Sequence, residues 1–273
     1  MNKLCVLLFF SFVLSDDVES YDLMIKYNVN EADKHHIDTI MDMSLPGLGE
    51  MQVGYNYLTT SKWLGEKDGL IAIEYEISKM IAINKIWDEI APDQNLKLLA
   101  DIPILVYLNH DGTFSHVDEK QSHIEETFKG LVVGQTQHNF LFPFGEEAVG
   151  LSIGSKWTMK EDSIIYYAGD GDVESIMSSE TEFSLDKIKT KKGKKIAYIS
   201  GTSIMNCNMR FMQSGMFFEG PMTGEMKHSY RFDLNNGKII KQTSSGEMDM
   251  HLTMEGQSWR TIINLSDKRK KVK

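Results

Sequence analysis

Unbroken alternation of apolar and polar residues from Met222 to Leu234 constrains this chain more than any other feature. Successive side chains of a β-strand point to opposite faces, so a period of two predicts a strand with one buried face. The intervening positions carry Thr, Glu, Lys, Ser, Arg and Asp, as expected for a solvated face. The inward face carries Met222, Gly224, Met226, His228, Tyr230, Phe232 and Leu234.

The same pattern continues on both sides of the next turn signals. Asn236-Gly237 ends the first strand, and Gly256 separates a second strand from a third. Long strands with one apolar face need a cover, which can be a helix, a second sheet or the sheet curling on itself. We therefore predict a mainly β fold, with a strongly curved antiparallel sheet (half-barrel or barrel-like) and one or two covering helices.

The first half of the chain repeats the alternation. It predicts strands at 21–29, 35–43, 51–57 and 71–77, and a hairpin at 104–117 around Asp111-Gly112. Apolar residues spaced by four and three then predict a short helix from about 118 to 130. No linker composition separates these elements, so we predict a single domain at 16–266.

The two ends differ from the body of the chain. Lys3 followed by the apolar run Leu4–Leu14 predicts a signal peptide at 1–15, and hence export to the periplasm or the exterior. The run is too short to cross a bilayer, which takes roughly 20 residues. Residues 267–273 contain five Lys or Arg and one Asp, which predicts a basic, solvated C-terminal tail.

Charge and cysteine counts exclude some classes of function. Twenty-nine basic and 39 acidic residues give a net charge of −10, which argues against nucleic acid as a partner. Only Cys207 would remain after removal of the signal, so no internal disulfide is expected.

Candidate catalytic and metal motifs are weak. Gly150-Leu-Ser152-Ile-Gly154 matches the nucleophile elbow of serine hydrolases, but residues 155–159 lack the helical periodicity that must follow the serine. Met205, Cys207 and Met209 offer soft ligands for Cu(I), yet they lie about 7 Å apart in succession on a strand. We expect no cofactor and no enzymatic activity, and a hydrolase or metal enzyme is the weakest alternative.

The apolar strand faces suggest a ligand site. Seventeen methionines, together with Tyr, Phe and Leu, form flexible or bulky surfaces suited to an apolar groove. The leading hypothesis is an exported protein that holds a lipid or another apolar small molecule. The alternative is an envelope interaction or structural module without a ligand, in which the basic tail and the loop with Phe140, Phe142 and Phe144 contact a partner. The predicted ligand-binding residues are Met226, Tyr230, Phe232, Met248, Met250 and Leu252.

Four short motifs carry a family resemblance. They are Met41-Asp42-Met43, Gly154-Ser155-Lys156-Trp157, the stretch from Tyr230 to Gly237, and Met248-Asp249-Met250. In this order they resemble a family of exported bacterial proteins known only as a domain of unknown function. The resemblance implies no catalytic residue and no substrate. By architecture, such chains look like the curved half-barrels of periplasmic lipoprotein carriers.

Overall fold

The described part of the chain is mainly β-structure. The computed structural model describes residues 19–45, 49–86, 89–90, 99–128, 140–166, 174–213, 216–254 and 256–272, so the predicted signal peptide lies outside the described residues. In chain order the strands are β1 (Ala32–Leu45), β2 (Gly49–Lys67), β3 (Leu70–Ile86), β4 (Glu89–Ile90), β5 (Pro103–Leu108), β6 (Phe114–Val117), β7 (Lys156–Tyr166), β8 (Glu174–Lys191), β9 (Lys194–Gln213), β10 (Met216–Asp233), β11 (Lys238–Met254) and β12 (Gln257–Lys271).

All of these strands form one antiparallel sheet. The order is β6-β5-β3-β2-β1-β12-β11-β10-β9-β8-β7, with β4 paired beside β3. The predicted meander is present as β10, β11 and β12, and the predicted hairpin is present as β5 and β6. The mainly β, antiparallel part of the prediction is therefore confirmed.

The predicted curvature and helical cover are wrong. The sheet is neither closed nor strongly curled, and within the described ranges its edge strands β6 and β7 do not pair with each other. Helical structure in those ranges amounts to a 3-10 helix at Glu119–Ile124 and one α turn at Glu125–Phe128, where a helix over 118–130 was predicted. Neither of these two helical segments is long and apolar enough to cross a lipid bilayer.

Two irregular segments cover the sheet instead, and we call residues 19–31 and 140–155 the cover segments. Their backbones bond to each other, from Tyr21 N to Leu151 O (2.8 Å) and from Leu23 N to Ala148 O (2.8 Å). The predicted strand at 21–29 is thus an extended segment with a single bridge and no ladder. Side chains alternate in any extended segment, whether or not the segment joins a sheet. The alternation at 21–29 therefore led to the wrong prediction of a strand.

The segment predicted as a basic tail lies mainly in the middle of the sheet. β12 continues to Lys271 between β1 and β11, with Lys271 opposite His35 and Lys270 opposite Lys241. Its alternation continues as well, because Lys268 and Lys270 are exposed while Asp267 and Arg269 are partly buried on the other face. Carboxylates on the partly buried face offset the positive charge of these basic residues. Ladder hydrogen bonds hold the segment in the sheet, although its composition alone predicts a frayed end.

Three clusters of buried side chains lie along the sheet. One joins β1, β2, β3 and β5 to the helical turn. The second, the aromatic cluster, packs the cover segments on β7–β11 and contains Leu23, Phe144, Trp157, Phe183, Tyr230 and Phe232. The third, the methionine cluster, contains Met41, Met43, Met177, Met205, Cys207, Met222, Met248, Met250, Leu252 and Ile263.

Candidate functional site

A cavity of about 340 Å³ lies between the cover segments and the sheet. Six neighbouring strands, from β3 through β2, β1, β12 and β11 to β10, contribute side chains to it, and Ile25, Phe140 and Pro143 come from the cover segments. More of its surface is apolar than polar. The main apolar side chains of its wall are Trp63, Ile73, Tyr75, Met226, Ile239 and Leu265.

The ladder register places three polar side chains in one row across the cavity wall. Tyr230 on β10 is opposite Gln242 on β11, and Gln242 is opposite Arg269 on β12. Neighbouring strands are about 4.8 Å apart, and directly opposed residues project to the same face. A phenol, an amide and a guanidinium therefore face the same space, and all three line the cavity.

Arg269 is a partly buried cation with little compensation. Its Nε is buried and has no hydrogen-bond partner, and its Nη2 donates only to His35 Nδ1, at 3.4 Å. No carboxylate in the described part of the chain forms an ion pair with it. An ionised group away from water normally requires a paired charge, so this arrangement is costly unless something else supplies one.

His35 is held neutral beside this arginine. Its Nε2 is 3.2 Å from the Ile239 carbonyl oxygen, which can only accept, so Nε2 carries the proton and Nδ1 accepts from Arg269. Burial, together with the charge of Arg269, lowers the pKa of His35 to about 3. His35 is therefore a fixed, uncharged part of the wall near neutral pH.

The two lysines at the same end of the cavity are fully paired. Lys238 is only 6% exposed and contacts both Glu31 and Asp33 at 2.8 Å, while Lys271 also pairs with Asp33. Burial alone would raise the pKa of Asp33, but hydrogen bonds from the two lysines outweigh burial and lower it. Two carboxylates thus balance two ammonium groups here, and Arg269 has no such partner.

A third acidic group, Asp267, faces the cavity from β12. It accepts a hydrogen bond from the Thr39 hydroxyl at 2.7 Å, and burial raises its pKa above the ordinary value. Asp267 and Arg269 lie two residues apart on one strand face without a direct contact between their charged groups. The carboxyl of Asp267 is therefore directed to Thr39 and leaves the guanidinium open.

A chain of hydroxyls and one imidazole crosses the sheet beside the cavity. Thr181 Oγ1 and Ser203 Oγ are 2.6 Å apart, and His228 contacts Ser203 through Nε2 (2.7 Å) and Ser244 through Nδ1 (2.9 Å). Burial lowers the pKa of His228 to about 4. Within the described residues no carboxylate bonds to this imidazole, so it lacks the acidic orienting group of a hydrolase triad.

The weak motifs found in the sequence do not gain support. Ser152 lies in a turn where its Oγ is 3.2 Å from Ser155 Oγ, and strand β7 follows in place of the helix that an elbow requires. Cys207 is buried in the methionine cluster, and burial raises its pKa. Among the described residues, no group of three or more His, Cys, Asp or Glu side chains is placed to hold a metal ion.

The predicted ligand-binding residues divide between three places. Met226 and Tyr230 line the cavity. Phe232 is fully buried in the aromatic cluster. Met248, Met250 and Leu252 are buried in the methionine cluster and are not part of the cavity wall.

The three phenylalanines predicted to contact a partner also lie in different environments. Phe140 lines the cavity and Phe142 is half-buried against the strands β1–β5. Phe144 is 0% exposed, and its carbonyl accepts a hydrogen bond from the Trp157 indole at 2.8 Å. The loop therefore covers the sheet and offers little apolar surface to a partner.

The prediction missed Gln242, Arg269 and His35. Arg269 was assigned to a solvated tail because of its basic neighbours, although the alternation through Ile263, Leu265 and Asp267 continues into it. This continuing alternation was the signal in the sequence that Arg269 belongs to a strand and not to a tail. Nothing in the local sequence indicates that a cation would face inward.

Comparisons with known proteins give no family for this chain. No family model matches it, and no curated protein matches it. Among solved structures, it is similar to a chain described as showing lipid–protein interactions in lipovitellin, with a TM-score of 0.49 and 9% sequence identity. The match covers 91% of this chain but 26% of that one, so this chain spans about a quarter of the lipovitellin length. The function therefore has to be inferred from the cavity itself.

Proposed function

We propose that this protein is an exported, non-enzymatic binder that holds a lipid or another apolar small molecule between its sheet and its cover segments. The observation that carries the proposal is the cavity of about 340 Å³ next to well-filled clusters. The cavity is partly open to solvent, so an apolar occupant would release water from its apolar walls on binding. Its volume is at the lower end of the roughly 300–1,000 Å³ that small-molecule sites span.

The chemistry of the walls supports an apolar occupant. Trp63 is fixed in the wall by stacking on Tyr27, with ring centroids 4.1 Å apart. Met226 lines the opposite part of the cavity and, as an unbranched thioether, adapts its shape to different chains. Rigid aromatic surface combined with a flexible side chain suits a hydrocarbon tail better than a polar substrate.

Binding of an uncharged fluorescent probe tests the proposal. N-phenyl-1-naphthylamine should bind the delipidated protein with one site per chain. Met226→Trp fills the cavity and should weaken this binding by roughly tenfold. Ile204→Trp is the matched control, because Ile204 is half exposed on the other face of β9, and it should leave binding unchanged. Equal loss in both variants, or no binding to the unaltered protein, contradicts the proposal.

Export is part of the proposal and is supported by Lys3 and the apolar run Leu4–Leu14. Expression of the full chain in a bacterium, followed by fractionation and intact-mass analysis, tests it. The expected product is a periplasmic or secreted protein that lacks about the first 15 residues. A cytosolic protein of full mass would contradict export and would leave the ligand proposal intact.

A further inference from the structure

The cavity wall holds three polar groups whose bonding capacity is unused. The ring of Tyr230 is 3% exposed and is held edge-on by Phe144 at 5.0 Å between centroids. Within the described part of the chain its hydroxyl makes no hydrogen bond, and burial raises its pKa, so it remains a donor. The amide of Gln242 and the Nε of Arg269 are likewise without partners among those residues.

The ion pairs around the cavity leave one cation without a partner. Glu31 and Asp33 are matched by Lys238 and Lys271 through direct ion pairs. Asp267 accepts a hydrogen bond from Thr39 and makes no ion pair with Arg269 among the described residues, and burial raises its pKa above the ordinary value. Arg269 is the remaining positive charge, and its side chain lines the cavity together with apolar and polar groups. A buried cation of this kind is stabilised by an anion that arrives with the ligand.

The chain itself shows how such an arginine binds a carboxylate. On the outer face, Arg260 donates from Nε to Asp249 Oδ1 at 2.9 Å and from Nη2 to Asp249 Oδ2 at 2.8 Å. The fork of a guanidinium matches the two oxygens of a carboxylate. The corresponding edge of Arg269 is free at Nε and is bonded only weakly to His35 at Nη2.

We propose that the ligand is a single-tailed amphipathic carboxylate whose head group binds Arg269 and accepts hydrogen bonds from Tyr230 and Gln242. Its tail lies along Trp63, Ile73 and Leu265. This inference rests on the proposed function, because it names the head group of a molecule held in that cavity. A monoanion fits better than a phosphate dianion, since there is one unpaired cation and since Asp33 and Asp267 face the same space.

Displacement of N-phenyl-1-naphthylamine by three ligands with the same tail tests the head group. Decanoate, decanol and decyl phosphate are compared near neutral pH on the delipidated protein. Charge-assisted hydrogen bonds predict that decanoate binds roughly 10- to 100-fold more tightly than decanol. Decyl phosphate should bind no more tightly than decanoate.

Two variants and one control test which side chains cause the preference for decanoate over decanol. Arg269→Met should remove the preference for decanoate over decanol, and Tyr230→Phe should reduce it several-fold without changing decanol binding. Arg260→Met removes an exposed arginine on the outer face and should leave the preference unchanged. If Arg269→Met does not fold, Arg269→Lys keeps the charge and loses the fork, and it should reduce the preference.

The outcomes separate the two proposals. If neither the fluorophore nor decanol binds the unaltered protein, the proposed function fails. If both bind and decanoate binds no more tightly than decanol, only the carboxylate assignment is overturned. Tighter binding of decyl phosphate than of decanoate also overturns it, as does an unchanged preference in Arg269→Met.

Discussion

The aromatic cluster and the cavity are neighbours on one sheet face, yet one is filled and the other is not. In the aromatic cluster, Phe144 from the cover segments meets Phe183, Tyr230 and Phe232 with ring centroids 5.0–5.7 Å apart. Around the cavity, the cover segments place Ile25, Phe140 and Pro143, which leave about 340 Å³ open. The strands supply an aromatic and aliphatic face to the first region and a mixed apolar and charged face to the second. The cover segments fill the first region and leave the second open.

Charged groups show the same contrast. Lys238 is almost fully buried, and it is satisfied by two carboxylates. Arg269 faces the cavity without one. A fold that needed both cations only for stability would pair both of them, because an uncompensated buried charge costs several kcal/mol. We therefore interpret the paired lysine as structural and the unpaired arginine as the functional group.

Truncating the filled region should have the largest effect. Phe144→Ala removes the ring at the centre of the aromatic cluster and leaves a void, which should lower the free energy of unfolding by about 3–5 kcal/mol. Urea denaturation measures this, with the exposed Ile153→Ala as the control, expected to stay within about 0.5 kcal/mol. A loss below about 1 kcal/mol would show that the region is not packed as described.

Overfilling the same cluster should have a smaller effect. A Cβ at Gly201 would lie 2.8 Å from Phe183 Cδ1, so Gly201→Ala forces the ring against its neighbours and should cost about 1–3 kcal/mol. The double variant Gly201→Ala/Phe183→Leu relieves the contact and should cost less than the two single changes added together. Additive costs in denaturation experiments would contradict the close approach.

Glu161 offers a buried, unpaired group that lies outside the cavity wall. Burial raises its pKa to about 7, and its Oε1 has no hydrogen-bond partner in the described chain. Above the unfolded-state value of 4.5, the unfolded chain has lost the proton that the folded chain keeps, so stability falls as pH rises from about 4.5 to 7.

Glu161→Gln should therefore raise stability by about 1–2 kcal/mol near pH 8 and have little effect near pH 4.5, as measured by denaturation at the two values. A stabilisation that is equal at both pH values would contradict the burial of the carboxyl.

Removing the functional charge should have the smallest effect on the empty protein, and its sign should be opposite to that of the two changes in the aromatic cluster. Arg269→Met replaces an unpaired buried cation with an apolar side chain of similar length. It should raise the free energy of unfolding of the delipidated protein by about 1 kcal/mol. A loss of 2 kcal/mol or more would instead indicate that Arg269 is structural, like Lys238.

The strands could be predicted from the sequence because alternation reports which face is buried. The meander from Met216 to Lys271 follows the period of two almost throughout. Closure of the sheet could not be predicted, because it depends on the register summed over all strands. The segment 21–29 was misassigned because alternation does not distinguish an extended cover segment from a strand.

The site was harder to predict than the fold. Met226 and Tyr230 were identified because they belong to an apolar face, but the same criterion selected Met248 and Met250, which fill the methionine cluster. A packed face and an open one have the same pattern in sequence. Arg269 was missed because five basic residues near a chain end usually form a solvated surface, and only the register with β1 and β11 places it inside.

Native mass spectrometry of the protein as purified, followed by solvent extraction, tests most directly whether the cavity binds an acidic amphiphile. We predict one adduct per chain that is recovered as a long-chain carboxylic acid, and a largely bare mass for Arg269→Met prepared in parallel. A bare mass for the unaltered protein that persists after incubation with decanoate, or an adduct held equally well by Arg269→Met, would contradict the account.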